Sequence, residues 1–507
     1  MWVPRLLPCV DYPQHLALAD IAARLSNQNA PEHATHQLSL FTYNGLFHVL
    51  VAALRCAMPI ETAGRLVVSG SLFALGAAVL ALLRSLRRPP EYAAFFIPIL
   101  FSFAAMWGFV NYVLATAIAG WALVFIARTV LAPTLGRALV VALLGLLCAY
   151  AHVLGMLVLC LLGAAIAPEL AWRSTDKGLA HARVTSVFYR TFIALAPLLI
   201  GCLFCIAVYQ EQYLWNPGMY TDPVLEGTRP PLWKKLVYFG SYATDLHPDK
   251  SDKWLLWSTI VILIVTIPLR RRSKENASIG PIYLPLVAGW GAYLATPVVV
   301  QGTHLIFQRL AQAAILGLIL ATPTLRGGMA RVIRGSAILL ASATGINLVI
   351  HAHAFAQATD DASRVIDAMP EGRKAAALVF DPKTTAFQYT SLTHMQGYYA
   401  ARKHGDWAFS FARYLSVPVR FKLGAQPAWP TRGWEFEASN YNPRCKYARI
   451  FDLLLVRAPP EIPSTPEGEA TLRARIFGPD ANDVRLIAHH GRYWGFDTAG
   501  LPTDGTY

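Results

Sequence analysis

Long apolar runs recur along the chain between residues 62 and 354, each followed by a short polar or basic connection. A helix that crosses the roughly 30 Å hydrocarbon core of a bilayer needs about 20 mostly apolar residues. By that measure the pattern predicts about ten helices, near 62–84, 92–106, 108–130, 138–151, 153–172, 190–209, 254–270, 279–299, 306–325 and 334–354. Two of these, 92–106 and 138–151, are short, so breaks or displaced ends are expected there. The stretch 45–58 (GLFHVLVAALRCAM) is shorter still and weakly amphipathic, which suits an interfacial or re-entrant helix.

Past residue 355 the pattern changes. Asp360 to Met369 reads as an amphipathic helix closed by Pro370-Glu371-Gly372, and Ala375 to Phe380 as a buried strand. Ile450 to Val456 reads as a second strand, and Val484 to Phe496 as a hairpin turning at His490-Gly491. The expected architecture is therefore mainly α: a polytopic transmembrane helix bundle over 61–355, preceded by a first loop with interfacial helices over 1–60. A small α/β domain over 356–507 follows it.

Composition agrees. The 507 residues are 55% hydrophobic and 15% charged, against roughly 25% charged in ordinary soluble domains. The balance of 44 Lys and Arg against 30 Asp and Glu gives a net charge of +14, which in a soluble chain would raise the question of nucleic acid. Here the basic residues cluster in alternate connections, as topology demands of cytoplasmic loops, and no nucleic-acid partner is implied. The clusters are Arg84, Arg87 and Arg88; Arg128 and Arg137; Arg173, Lys177, Arg183 and Arg190; Arg270, Arg271, Arg272 and Lys274; and Arg326, Arg331 and Arg334. The intervening connections, residues 1–60 and the tail then fall on the outer side, which predicts a multi-pass membrane protein with its C-terminal domain outside. An outside segment at 1–60 with no apolar helix or signal peptide before it leads to the expectation of a further helix upstream of Met1. Seven cysteines, mostly in apolar runs, form no disulfide framework, and the Cys202/Cys205 CxxC spacing inside Ala194–Val208 reads as helix packing.

The outside connections hold the candidate chemistry. Asp11-Tyr12-Pro13-Gln14-His15 precedes a helix-like run, Leu16 to Leu25. Pro13 early in a helix with Asp11 ahead of it is an ordinary helix start, and Asp11 as an N-cap competes with Asp11 as a general base near the membrane surface. His15 lies four residues on, on the same helical face. A divalent cation held by Asp11 and His15 suits the residue types, but two ligands do not define a metal site. Trp107-Gly108-Phe109-Val110-Asn111-Tyr112 is either an aromatic anchor at a glycine bend or, through Trp107 and Asn111, part of a substrate site. His152 at the next outside turn is a structural hydrogen-bonding group or a cavity-facing one. The loop 210–253, with Tyr209, Tyr213, Trp215, Tyr220, Trp233, Asp222, Asp245 and His247, is an interfacial cap or a lid over a lipid or sugar cleft. His304 and Arg309 sit at the outer end of a helix, where Arg309 either snorkels to the surface or grips a lipid phosphate.

The segments DYPQHLALADI, MWGFVNYVLATAIAGWAL, AYAHVLGMLVL and QRLAQAAILGL, with DASRVIDAMPEGRKAAALVFD, THMQGYYAARKHGDWAFSFARYL and FDLLLVRAPP in the tail, resemble bacterial multi-spanning membrane proteins of the GT-C glycosyltransferase type. The resemblance runs through nearly the whole chain on loose motifs, of which only DYPxH is sharp enough to transfer by residue. It implies a bacterial inner-membrane location with a periplasmic C-terminal domain, ten or more helices, an extracytoplasmic site, a polyprenyl-phosphate-sugar donor and an essential acidic residue in the first outside loop, the position of Asp11. Two departures stand out: no helix ahead of that loop, and no adjacent acidic pair, since Asp11 is followed by Tyr12 and the nearest carboxylate is Asp20.

The expected activity is transfer of a sugar from the lipid-phosphate donor to a glycan, lipid or protein acceptor, with inversion and with Asp11 as base. Tyr12, His15, Trp107, Asn111, His152, His304 and Arg309 are the candidate substrate-binding residues, with Arg309 and secondarily Arg5 offsetting the phosphate charge. The bilayer is the remaining partner, and no cofactor is required by the pattern. Two alternatives stay open: a lipid-linked glycan polymerase or ligase, and a non-catalytic transporter or scaffold of the same fold.

Overall fold

The structure is a computed structural model that describes residues 1–175, 180–214, 228–272, 280–300, 303–427 and 433–501. It is mainly helical with a small sheet region near the C-terminus. Among the described residues six helices are long and apolar enough to span a bilayer: Ile60–Ser85, Val110–Leu131, Val153–Ser174, Ala180–Gln212, Ser251–Leu269 and Gly327–Ala368.

Six of the ten expected spans reach that length among the described residues, and the local chemistry says why the others do not. The 92–106 run breaks into a 3-10 turn at Pro90–Phe96 and the short helices Ile97–Leu100 and Phe103–Trp107, because Pro90 and Pro98 withhold backbone donors and Gly108 turns the chain at φ +91°. The 279–299 run supplies only Leu284–Ala295, 12 residues or about 18 Å at 1.5 Å per residue, well short of the hydrocarbon core. Leu135–Ala151 has 17 residues, and 306–325 is covered by Ile306–Arg309 and Ala311–Ala321. The separate helices expected at 334–354 and 360–369 are one 42-residue helix, Gly327–Ala368, since neither Pro nor Gly interrupts 346–359. The helix expected from residue 190 already starts at Ala180.

By its contacts the chain divides into two compact units. The first comprises Met1–Leu40, His48–Val67 and Val349–Tyr507, the second Phe41–Phe47 and Val68–Leu348.

The strands of the first unit are β1 (His36–Leu38), β2 (Ala375–Val379), β3 (Val419–Phe421), β4 (Leu453–Arg457), β5 (Arg485–His490) and β6 (Tyr493–Asp497). β1 and β3 form an antiparallel pair with His36 opposite Phe421. The other four form one sheet in the order β2-β4-β6-β5, with β2 parallel to β4 and the remaining pairs antiparallel. The edge strand β2 (AAALV) and the central strand β4 (LLLVR) are both buried throughout, as strands covered on both faces should be. The β5–β6 hairpin turns where expected, with Gly491 at φ +54°. Leu454, Val456, Trp494 and Phe496 of the sheet pack with Leu472, Ile476 and Phe477 of the helix Pro466–Phe477. That helix starts on a Thr465 side chain accepting the Gly468 N–H, with Pro466 in its first turn. Elsewhere in this unit the Gln396–Lys403 helix lies against Tyr12–Arg24 through Gly397, where a Cβ would fall 2.6 Å from the Pro13 carbonyl group.

In the second unit, small residues let helices approach backbone to backbone, the usual device of membrane interfaces. A Cβ on Gly289 would lie 2.6 Å from the Ala313 oxygen, and one on Gly317 2.5 Å from the Pro285 oxygen, so Leu284–Ala295 and Ala311–Ala321 are in direct contact. Side chains of opposite charge close the two ends of Leu284–Ala295. Glu169 accepts the Tyr283 N–H at 3.0 Å and the Leu284 N–H at 2.7 Å. At the other end Lys235 Nζ donates to the carbonyls of Leu294 at 2.8 Å and Tyr293 at 3.3 Å. Both signs match the helix dipole.

Candidate functional site

Asp11 sits immediately before the Tyr12–Arg24 helix, yet its side chain makes no capping bond. An N-cap needs an extended backbone so that its side chain folds back over the first turn. Asp11 is at φ −89°, ψ −10°, already helical, and the carboxylate points elsewhere. It stands with Oδ1 3.2 Å from Nδ1 of His394, whose Nε2 is 2.7 Å from Glu435 Oε1. One imidazole thus bridges two carboxylates, with His394 only 3% exposed. Burial alone pulls the imidazole pKa down, but the flanking carboxylates of Asp11 and Glu435 more than reverse it, to about 10. His394 is therefore an imidazolium at neutral pH.

The surroundings hold this array in place. Gln14, fully buried, donates Nε2 to the Phe409 carbonyl at 3.1 Å and accepts from Trp407 Nε1 at 2.6 Å and from the Phe411 N–H at 3.3 Å. The Phe411 ring meets the rings of both His394 and His15 edge-on, at 5.4 and 5.6 Å between centroids. His15 Nδ1 lies 3.2 Å from His48 Nε2, so its ring is engaged with a second histidine. Among the described residues no group of three or more His, Cys, Asp or Glu is placed to hold a metal ion.

Tyr12 is a core residue, 1% exposed, its ring 6.2 Å from that of Tyr398. Asp20 forms a separate node. It is fully buried and takes Arg24 Nε at 2.9 Å, Arg55 Nε at 2.5 Å and His404 Nδ1 at 3.1 Å. Burial raises its pKa, but His404 and the two guanidinium groups prevail and hold the carboxyl below its ordinary range.

The remaining sequence candidates, Arg5 excepted, belong to the second unit. His152 occupies an extended position ahead of Val153–Ser174, and its Nδ1 accepts the Leu154 N–H at 3.0 Å. That bond occupies the single lone pair of a neutral imidazole and puts the proton on Nε2. Nε2 is 3.2 Å from Arg309 Nη1, itself only a donor. Two donors therefore meet in a buried contact, His152 being 7% and Arg309 5% exposed. Arg309 also lies over the Phe109 ring, 3.5 Å to the centroid, and donates Nη2 to the His304 carbonyl at 2.9 Å. The Tyr112 hydroxyl donates to the Arg309 carbonyl at 2.6 Å.

His304 thus enters through its backbone, while its side chain is on an exposed residue. Asn111 Oδ1 accepts the Phe47 N–H at 3.3 Å, and its buried Nδ2 has no partner among the described residues. Trp107 stacks obliquely on Phe103 at 5.0 Å beside the Gly108 bend, as an aromatic anchor would. Arg5 is exposed. In the loop 210–253, Trp233 is exposed, Asp245 lies 3.9 Å from Lys253 and His247 is fully buried; Trp215, Tyr220 and Asp222 lie outside the described residues.

His394, Glu435 and Gln14 were not marked by any sequence motif. The Thr393–Trp434 stretch is conspicuous for aromatics and arginines, but no spacing rule links a histidine there to a carboxylate at residue 11. No family model, curated protein or solved structure matches the chain.

Proposed function

We propose that the chain is a membrane glycosyltransferase that moves a sugar from a polyprenyl-phosphate-linked donor to an acceptor hydroxyl on the extracytoplasmic side, with Asp11 as the base. The observation that carries this is the Asp11 carboxylate, freed from helix capping and fixed against the His394 imidazolium and Glu435. A base must be positioned before its strength matters. Buried contact with His394 restricts the carboxylate to few rotamers. The acceptor oxygen attacks the anomeric carbon as its proton passes to Asp11, and the bond to the lipid phosphate breaks in the same displacement, inverting the centre.

The departing phosphate needs positive charge and donors rather than a proton. Polar and ionisable groups of the second unit that lie at helix starts, rather than along the helices, favour surface chemistry over passage of a solute.

The test compares lipid-linked sugars and envelope glycans by mass spectrometry in the native host as wild type, deletion, and Asp11→Asn at matched membrane abundance. Loss of one sugar with build-up of its lipid-phosphate donor in both altered strains supports the assignment. Changed glycans in the deletion alone, with Asp11→Asn like wild type, remove Asp11 from the chemistry.

A further inference from the structure

Away from these residues, the second unit carries an open groove of about 630 Å³ between the ends of three helices, lined by Pro168, Glu169, Trp172, Arg173, Arg183 and Leu284, with Val187. It lies at the Arg173–Arg190 connection, one of the basic connections of the chain, and nothing in the proposed transfer uses it.

Its charges are unequally engaged. Glu169 is the one carboxylate lining the groove, and it is committed: Arg173 Nη2 is 2.6 Å away, and its two oxygens hold the N–H groups of Tyr283 and Leu284. Among the described residues Arg183 has no carboxylate partner. Its guanidinium lies flat on the Trp172 ring at 3.9 Å and donates Nη2 to the Trp172 carbonyl at 2.9 Å. Its Nε is buried with no acceptor among the described residues. Arg190 stands nearby, Nη1 3.5 Å from Ser174 Oγ. Among the described residues, the guanidinium groups of Arg183 and Arg190 thus have no carboxylate partner, beside the one that is paired.

The rim is apolar and outward-facing, with Trp172 49%, Val184 58% and Phe188 70% exposed. A water-soluble surface would not carry these side chains beside a basic groove; a bilayer interface would.

We infer that this groove binds the phosphate headgroup of an anionic phospholipid, with Arg183 as its principal anchor. A guanidinium presents a planar donor pair to phosphate oxygens, and Nε is the donor left over for one. The acyl chains run along Val184 and Phe188, and Trp172 fixes the plane of Arg183 by stacking. Basic pockets between membrane helices are suited to such headgroups, each interfacial arginine contributing about fivefold in affinity. The site is independent of the transferase assignment.

The full-length protein, stripped of lipid in neutral detergent, is titrated with phosphatidylglycerol, phosphatidylcholine and inorganic phosphate, and bound molecules are counted by native mass spectrometry. Phosphatidylglycerol should be retained at least about fivefold more tightly than phosphatidylcholine. The preference should vanish in Arg183→Gln and survive in Arg183→Lys. In the wild type, hydrogen exchange should slow at 168–174 and 180–190 on adding phosphatidylglycerol, a readout that needs no variant to fold. Equal binding of the two lipids overturns the inference, as does a preference unchanged in Arg183→Gln or protection elsewhere in the chain. Displacement of phosphatidylglycerol by millimolar inorganic phosphate would show a site for free anions instead.

Discussion

Raising the pH should loosen the first unit through His394 alone, and the effect can be sized. The folded imidazole titrates at about 10 against 6.5 in the unfolded chain. A group whose folded pKa is raised stabilises fully below the unfolded value and loses that contribution as pH climbs to the folded one. The difference of about 3.5 units, at 1.36 kcal/mol each, is about 5 kcal/mol below pH 6.5, falling to about 3 kcal/mol at pH 7.5 and nearly nothing at pH 10. The decline is about 1.4 kcal/mol, or tenfold in the opening equilibrium, per pH unit between 6.5 and 10.

His36 shapes the acid side. Burial holds its pKa down at about 4, Asp406 raising it and Arg24 lowering it by less. A lowered imidazole pKa stabilises above 6.5 and loses that contribution as pH falls toward 4, so the first unit should be firmest near pH 6.5. The assay is hydrogen exchange of the Gln396–Lys403 helix, corrected for intrinsic rates, in wild type and His394→Gln from pH 6.5 to 9.5. Protection should drop about tenfold per pH unit in the wild type and stay level in the variant. Parallel curves for the two proteins would refute the bridging of Asp11 and Glu435 by a charged His394.

Two further expectations concern packing. Gly289→Val and Gly317→Val put side-chain atoms where the backbones of Pro285 and Ala313 stand, so each should cost about 1–3 kcal/mol and lower the melting temperature of the protein in detergent, whereas Gly291→Val, which has nothing within 4 Å of its Cβ position, should not. Gln14→Leu strands the Trp407 indole N–H and the Phe411 N–H, at about 1–3 kcal/mol for each buried group left unpaired, readable as increased proteolysis of the 407–414 segment.

Hydropathy made the long helices legible, since Ile60–Ser85, Val110–Leu131 and Val153–Ser174 each present an uninterrupted apolar run of bilayer length. Gly491 and the alternating residues around it did the same for the β5–β6 hairpin. Hydropathy does not register backbone breaks, so the runs at 92–106 and 279–299 looked like spans although prolines and extended residues cut them short. The continuity of Gly327–Ala368 was hidden by its change from apolar to amphipathic composition, which says which surroundings a helix has, not where it ends. Within the candidate site Asp11 was visible because a carboxylate beside Pro13 is a recognisable local pattern. Its partners were not, because His394 and Glu435 come to it by tertiary folding of the tail, and an isolated histidine or glutamate carries no signal of what it will face.

The most direct measurement is the rate of sugar transfer from a polyprenyl-phosphate donor by the purified wild type, Asp11→Asn and His394→Gln, each at equal folded concentration and across pH. Removing a general base costs about 10²- to 10⁴-fold, so Asp11→Asn should fall by at least a hundredfold at every pH. His394→Gln should retain more activity and lose the decline that follows deprotonation of His394 toward pH 10. A wild-type rate in Asp11→Asn would contradict the assignment of Asp11 as the base.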